Sequence, residues 1–338
     1  RCCRRLESVT RDRTLWEIVD FRPDVLSLFH LKRYIHFLQP ATRLIATRGP
    51  ATSAATKHHH PSICKSFLRG VARNAPNLTI LILENHIIDS SKLTLEDFPR
   101  SLQELRLQKC VMTHVFPDRS YFHRMNKSLP KLKILDLTDC DWFMPHSLLA
   151  LSKSQSLEEL VLTGCDVCDC LPYTSLAANF GFSALRVLDL RFTLVSDTEV
   201  SCFNRTTTLR ELMLDAPGDT SRDFSITSYG GGGGGRVGGA QRLWAGGGPG
   251  QPHWNFQNEG VVIIEVGAYP RPVCRLESLV IRGYPGVTDT TLTHVADHMT
   301  YIRYLDVTGS GVTQQGIAQF KKKRPQVTIV PDIHAELS

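Results

Sequence analysis

No apolar run in this chain approaches the roughly 20 residues that a membrane-spanning helix needs, so no membrane partner is expected. Catalytic signatures are missing as well. There is no nucleophile elbow, no His-Glu-x-x-His helix and no kinase-like set of loops, and the clustered glycines are not followed by Gly-Lys-[Ser/Thr]. Nothing in the sequence reads as an enzyme, and no cofactor is expected. The 39 basic and 33 acidic residues leave a net charge of only +6, and no basic cluster is interleaved with aromatics, which argues against a nucleic-acid partner. The cysteine-rich caps of a secreted, disulfide-flanked repeat protein are not visible either. The first residue is Arg1 rather than Met, so the sequence reads as a fragment, and a missing signal peptide carries no weight.

What the chain has in abundance is one spelling. Leu132-Lys133-Ile134-Leu135-Asp136-Leu137-Thr138-Asp139-Cys140 returns in close variants at Leu78, Leu102, Leu157, Leu185, Leu209, Leu276 and Ile302. The steps between first positions are 24, 30, 25, 28, 24, 67 and 26 residues. All but one fall in or beside the ~20 to 29 residue period of leucine-rich repeats. The Leu-x-Leu core sets two apolar side chains on one face of a short strand and leaves the intervening residues on the other. One such unit cannot bury its apolar side alone, so the units stack. The expected fold is therefore α/β, a leucine-rich-repeat solenoid with a parallel inner sheet and outer helices. Val195 to Val200, Val287 to Leu292 and Val312 to Ile317 each carry Ser, Thr or Asp placed to cap a returning outer helix.

Ten cysteines are enough for a disulfide scaffold, but Cys110, Cys140 and Cys165 recur at one register of the repeat and read as buried thiols, which favours a reducing compartment. Cys165, Cys168 and Cys170 have metal-like spacing, yet no second pair lies nearby to complete a tetrahedron. His58-His59-His60 falls in a Pro-, Thr- and Ala-rich stretch that reads as a solvated loop. No metal is expected at either place. The sequons at Asn77, Asn126 and Asn204 read as incidental, and sugar on them would point instead to a secreted glycoprotein.

Ahead of the repeats stand Cys2-Cys3-Arg4-Arg5-Leu6 and then Asp12-Arg13-Thr14-Leu15-Trp16-Glu17-Ile18-Val19-Asp20. A short helical piece, a Leu-Trp anchor and a strand are expected here. Next come a helix over Pro23 to Leu38, a degenerate strand over Arg43 to Thr47 and an outer helix over Ser62 to Arg73. Cys3, Arg4, Arg5, Asp12, Leu15, Trp16, Val19 and Asp20 match the pattern that closes the F-box of F-box and leucine-rich-repeat proteins, with Leu6 where that pattern has Trp and Phe21 where it ends in Leu. The chain resembles that family.

The resemblance implies a partial, all-α F-box at residues 1–21, a linking helix and degenerate first repeat at 22–77, and repeats over 78–338. It also implies a non-catalytic substrate receptor. A complete F-box docks on the Skp adaptor of a cullin-RING ubiquitin ligase, and the repeats hold the protein to be ubiquitinated. Cys3, Arg4, Leu6, Asp12, Leu15 and Trp16 would lie on the adaptor side. The departure is the leading F-box helix, which the sequence lacks; the native protein is expected to carry it. A repeat scaffold with no ubiquitin connection is the alternative. The cytoplasm, the nucleus or both are the expected locations.

On the concave side of the solenoid, the three outward columns hold eight acidic and three basic residues, an acidic wall on a basic chain. Glu104, Arg106, Ile134, Asp136, Glu159, Val161, Asp189, Glu211, Met213 and Tyr304 are the expected substrate contacts. The carboxylates would steer a basic segment of the partner, and the apolar members would anchor it. Twelve of the 24 glycines crowd into residues 230–250, which reads as a disordered insertion over about 216–260. Val261 to Val266 could form a strand but fits no repeat. The run Lys321 to Arg324 reads as the basic end of a last helix, with nuclear import as a second reading, followed by a closing strand over Val327 to Val330.

Overall fold

The computed structural model describes residues 9, 12–50, 60–116, 119–165, 167, 177, 181–193, 206–216, 275–284 and 287–331. Cys3, Arg4, Leu6, His58, His59, Cys168, Cys170, the helix cap over 195–200, Asn204, the glycine-rich insertion and the 261–266 stretch all lie outside the described residues.

Each Leu-x-Leu spelling forms a strand, and the strands stack side by side. The main sheet runs β1 (Ile18–Asp20), β2 (Leu44–Arg48), β3 (Ile80–Glu84), β5 (Glu104–Gln108), β7 (Ile134–Asp136), β8 (Glu159–Val161), β9 (Val187–Asp189), β10 (Glu211–Asp215), β11 (Ser278–Arg282), β12 (Tyr304–Asp306) and β13 (Thr328–Val330). All the pairings are parallel. The register is strict: Leu81, Leu105, Leu135, Leu160, Leu188, Leu212, Leu279 and Leu305 form one buried row. β10 pairs directly with β11, Leu212 beside Leu279, so the 67-residue step leaves the sheet continuous. β4 (Ile87–Asp89) and β6 (Val111–Thr113) make a second small parallel pair.

The turn after each strand explains why the stack holds its register. Asn85, Lys109, Asp139, Gly164, Phe192, Gly283 and Gly309 occupy one repeat position, and all are left-handed, with φ between 53° and 71°. In this conformation each N–H aims along the stack. Lys109 donates to Thr138 O at 2.8 Å, Asp139 to Thr163 O at 2.8 Å and Gly164 to Arg191 O at 2.9 Å. The next residue turns inward. The Sγ atoms of Cys110, Cys140 and Cys165 donate back to the carbonyls of Leu83, Leu107 and Leu137 at 3.2, 2.7 and 3.0 Å. Burial pushes the Cys110 and Cys165 thiols up to about 12 and the Cys140 thiol well above its ordinary value. These cysteines are core, as their spacing implied, and each is tied to the repeat before it.

Helices close the other side. α1 (Leu28–Tyr34) starts later than the Pro23 expected from the sequence, because Ser27 accepts the His30 N–H as N-cap while Asp24 is held in a turn by Phe21 O. α2 (Lys65–Asn74) buries Phe67, Leu68 and Val71. The short α3 (Met125–Ser128) and α4 (Ser147–Leu151) come next, then α5 (Asp289–His298) and α6 (Gln314–Lys323). Thr288 begins α5 with a capping box, and Thr313 caps α6 by accepting the Gly316 N–H at 3.1 Å, as the repeated Val-Thr spelling foretold. Asp289 ties the two helix starts by accepting the Thr313 N–H and hydroxyl at 2.8 and 2.6 Å. A Cβ at Gly316 would meet that carboxylate and push the Asp289 side chain away from Thr313.

The basic end of α6 is structural in part. Arg324 donates to the carbonyls of Ala296, Met299 and Thr300, closing the C-terminus of α5. Lys323 pairs with Asp297 at 3.0 Å. Among the described residues no helix is long and apolar enough to cross a membrane.

Candidate protein-binding face

The sheet face opposite the leucine row is a set of columns one strand residue wide. The first reads Ile80, Glu104, Ile134, Glu159, Val187, Glu211, Ser278 and Tyr304 in continuous register. Acidic and apolar residues alternate along its middle, so successive glutamates lie two strands apart, about 10 Å. The second column reads Ile82, Arg106, Asp136, Val161, Asp189, Met213, Val280 and Asp306.

The two columns hold their carboxylates differently. Asp136 and Asp189 are 2% exposed and Asp306 is fully buried. Asp136 accepts the Thr138 N–H and hydroxyl on one oxygen, and Arg106 Nη1 at 3.2 Å with Gln108 Nε2 at 2.6 Å on the other. Asp189 takes the Arg191 N–H at 3.1 Å and a two-pronged grip from its guanidinium. Asp306 repeats the Thr pattern with Thr308 and receives Arg282 Nε at 2.9 Å. Burial alone would raise the Asp306 pKa. The hydrogen bonds from Arg282 and Thr308 outweigh it and hold the carboxyl below its usual 3.8. The expectation that Asp136 and Asp189 present charge to a partner is therefore revised: their oxygens already hold the strand ends together.

The glutamates are freer. Glu104 pairs with Arg106 at 2.5 Å. Glu159 is half-buried and Glu211 exposed, and neither has an ion-pair partner among the described residues. Burial raises the Glu159 carboxyl above 4.5; Arg106 opposes this, while Glu104, Asp136 and Glu211 add to it. Asp215, at the end of β10, is likewise raised above 3.8 by burial, against the pull of Arg282 and Arg191. Ile134, Val161, Met213 and Tyr304 are half-buried between them. This stretch of the face thus offers partly desolvated carboxylates interleaved with apolar side chains, a combination that favours a basic and partly apolar ligand.

One residue at this face was not picked out from the sequence. Phe192 is 43% exposed at φ 56°, in the left-handed slot that other repeats fill with Asn85, Asp139 or Gly164. A bulky side chain is unfavourable there, by about 1–2 kcal/mol. Aligning the repeats by their turn residue rather than by their leucines is the signal that finds it.

At the N-terminal end, Asp12 caps a 3₁₀ turn (Arg13–Trp16) by accepting the Thr14 N–H at 2.9 Å. Leu15 is 56% exposed. Trp16 is half-buried and stacks on Phe37 with ring centroids 5.2 Å apart. β1 comes directly after and is the sheet's first strand, with Ile18 exposed and Val19 in the core.

Parallel strands in leucine register, a left-handed turn column and returning helices define this chain as a leucine-rich-repeat solenoid. It is similar to F-box/LRR-repeat protein 12 of Mus musculus, 28% identical over 172 residues, which is 48% of each chain. Its similarity to F-box/LRR-repeat protein 12 of Homo sapiens is 28% over 171 residues, again 48% of each. The chain spans about half the length of these curated relatives. A solved leucine-rich-repeat protein of Leptospira interrogans aligns over 96% of this chain and 98% of its own, at 12% identity and a TM-score of 0.30. No protein-family profile matches the chain.

Proposed function

We propose that this chain is the substrate-holding part of a receptor for a Skp-cullin-F-box ubiquitin ligase, with no catalytic role of its own. The open sheet face takes a basic segment of the protein to be ubiquitinated. The observation that carries the ligase connection is the similarity to F-box/LRR-repeat protein 12, joined to the Asp12, Leu15 and Trp16 spelling ahead of the first strand. The Skp adaptor and cullin would bind through a complete F-box. On the face itself, Glu159 and Glu211 provide charge while Ile134, Val161 and Met213 provide apolar anchorage. Their spacing suits an extended segment whose cations recur about every 10 Å, close to three residues of polyproline II chain.

The test is co-purification from cells of the full-length gene product in two forms, wild type and Glu159→Lys/Glu211→Lys. Adaptor and cullin should accompany both, while a set of proteins with basic segments should be lost from the variant. Absence of adaptor from both forms would leave a free-standing repeat scaffold. Equal recovery of every bound protein by the two forms would show that the substrate binds elsewhere.

A further inference from the structure

α5 ends in two imidazoles one helical turn apart. His294 and His298 stand at i and i+4, so they share a face, and their ring centroids are 4.4 Å apart with planes inclined by 35°. The Nε2 atom of His294 is shielded from solvent and has no hydrogen-bond partner. His298 is exposed at the last turn of the helix. An orphaned ring nitrogen beside a second imidazole is the arrangement that a borderline transition metal satisfies, since each metal–nitrogen bond is about 2 Å long.

We propose that His294 and His298 chelate a divalent transition metal of the Zn²⁺, Ni²⁺ and Cu²⁺ class, one nitrogen from each ring. Chelation requires the two rings, 4.4 Å apart between centroids, to turn until one nitrogen of each faces the same ion. Among the described residues no third His, Cys, Asp or Glu completes a cluster. Asp297 lies between the two in sequence but is held by Lys323 at 3.0 and 3.3 Å. The site is therefore two-pointed, with its other positions left to water or to a ligand brought by a partner. A bound ion would pin the final turn of α5, whose carbonyls Arg324 already closes.

The histidine triplet at 58–60 is a competing chelator in the same chain, so the experiment uses the full chain with all three replaced by alanine. Titration calorimetry with ZnCl₂ and with NiCl₂ should give one saturable site, and thermal unfolding should move upward with metal. His294→Ala and His298→Ala should each weaken binding at least tenfold. His298→Ala changes an exposed position and should fold normally, which circular dichroism would verify. As a second readout, sub-stoichiometric Ni²⁺ should broaden the proton resonances of both rings before those of any other histidine. Absence of saturable binding would overturn the proposal. So would binding unchanged by His298→Ala, the mark of an adventitious ion only.

Discussion

Along one face of this solenoid, Asp136, Asp189 and Asp306 occupy one column, while Glu104, Glu159 and Glu211 occupy the next, two residues back on their strands or neighbouring ones. Charge and strand parity are the same. The difference lies in the neighbour two places along the chain. Every aspartate is succeeded at i+2 by Thr138, Arg191 or Thr308, whose N–H it accepts. A short carboxylate reaches its own turn, whereas a glutamate one pleat earlier reaches outward. Buried aspartates of this kind hold strand ends in register; Glu159 and Glu211 remain available to a partner, while Glu104 is paired with Arg106.

Substitution should separate the columns most sharply. Asp306→Ala removes a fully buried carboxylate, leaves the Thr308 N–H without its acceptor and releases Arg282, whose side chain is 41% exposed, to water. It should cost about 2 kcal/mol, from the loss of charge-assisted bonds and of the acceptor for Thr308. Glu211→Ala, at an exposed position without a pairing among the described residues, should stay within about 0.5 kcal/mol. Urea unfolding measures both. Equal costs would erase the distinction between the columns.

Acid titration offers a second separation, against a background set by His86. That ring is buried and bonded to Thr47 and Ser62 at 2.9 Å each, and burial lowers its pKa from 6.5 to about 4. Unfolded, the ring takes up a proton near 6.5; folded, it resists until about 4. Its contribution is thus complete above the unfolded value and is lost as pH falls between the two, by about 3 kcal/mol. Stability measured from pH 7 to 4 should fall accordingly, and His86→Ala, weaker at pH 7, should show a flatter slope. An unchanged slope in the variant would mean another group governs the loss.

Asp306 and Glu159 then titrate in opposite senses. Asp306 is depressed below 3.8, so the stability it contributes is present above that value and lost as pH drops through its folded pKa. Glu159 is raised above 4.5, so its contribution is present below 4.5 and lost as pH climbs through its folded pKa. Carboxyl resonances should place the two midpoints on either side of their ordinary values. A basic peptide bound to the face should pull the Glu159 midpoint down and leave Asp306 unmoved. Movement of Asp306 with no response from Glu159 would transfer the binding role to the other column.

Much of this was legible in the sequence, because the solenoid writes its core as a period. Leu132, Leu135, Leu137 and Cys140 sit where their spelling places them, and Thr288 and Thr313 cap the helices they precede. The face was less legible. Alternation identifies which residues leave the core but not whether a carboxylate is already satisfied, so it does not separate Asp136 and Asp189 from Glu159 and Glu211. The start of α1 was misplaced because Pro23 and Asp24 satisfy a helix start as well as the turn they make, and only the Ser27 cap decides. Phe192 escaped because the leucine spelling stops short of the turn residue, and only the turn column shows a bulky side chain where left-handed backbone is needed.

The smallest effect concerns thiols, another column that the sequence made look uniform. Cys110, Cys140 and Cys165 donate to carbonyls in the core, and burial raises the pKa of each well above the ordinary thiol value, so none forms a thiolate readily. Cys64 stands outside that register, half-buried before α2. Burial works to raise its pKa, but contacts with Ser66, Phe67 and Lys32 bring it below 9.0. Iodoacetamide at pH 8, read residue by residue by mass spectrometry, should label Cys64 in the folded protein and reach the three repeat cysteines only as the chain unfolds. Labelling of Cys64 should leave the urea midpoint nearly unchanged, since its side chain is no part of the stacked turns. Labelling of Cys140 at the rate of Cys64 would mean that the turn column opens locally. The strict register that separates holding from binding carboxylates would then break down as well, because the same turns carry both.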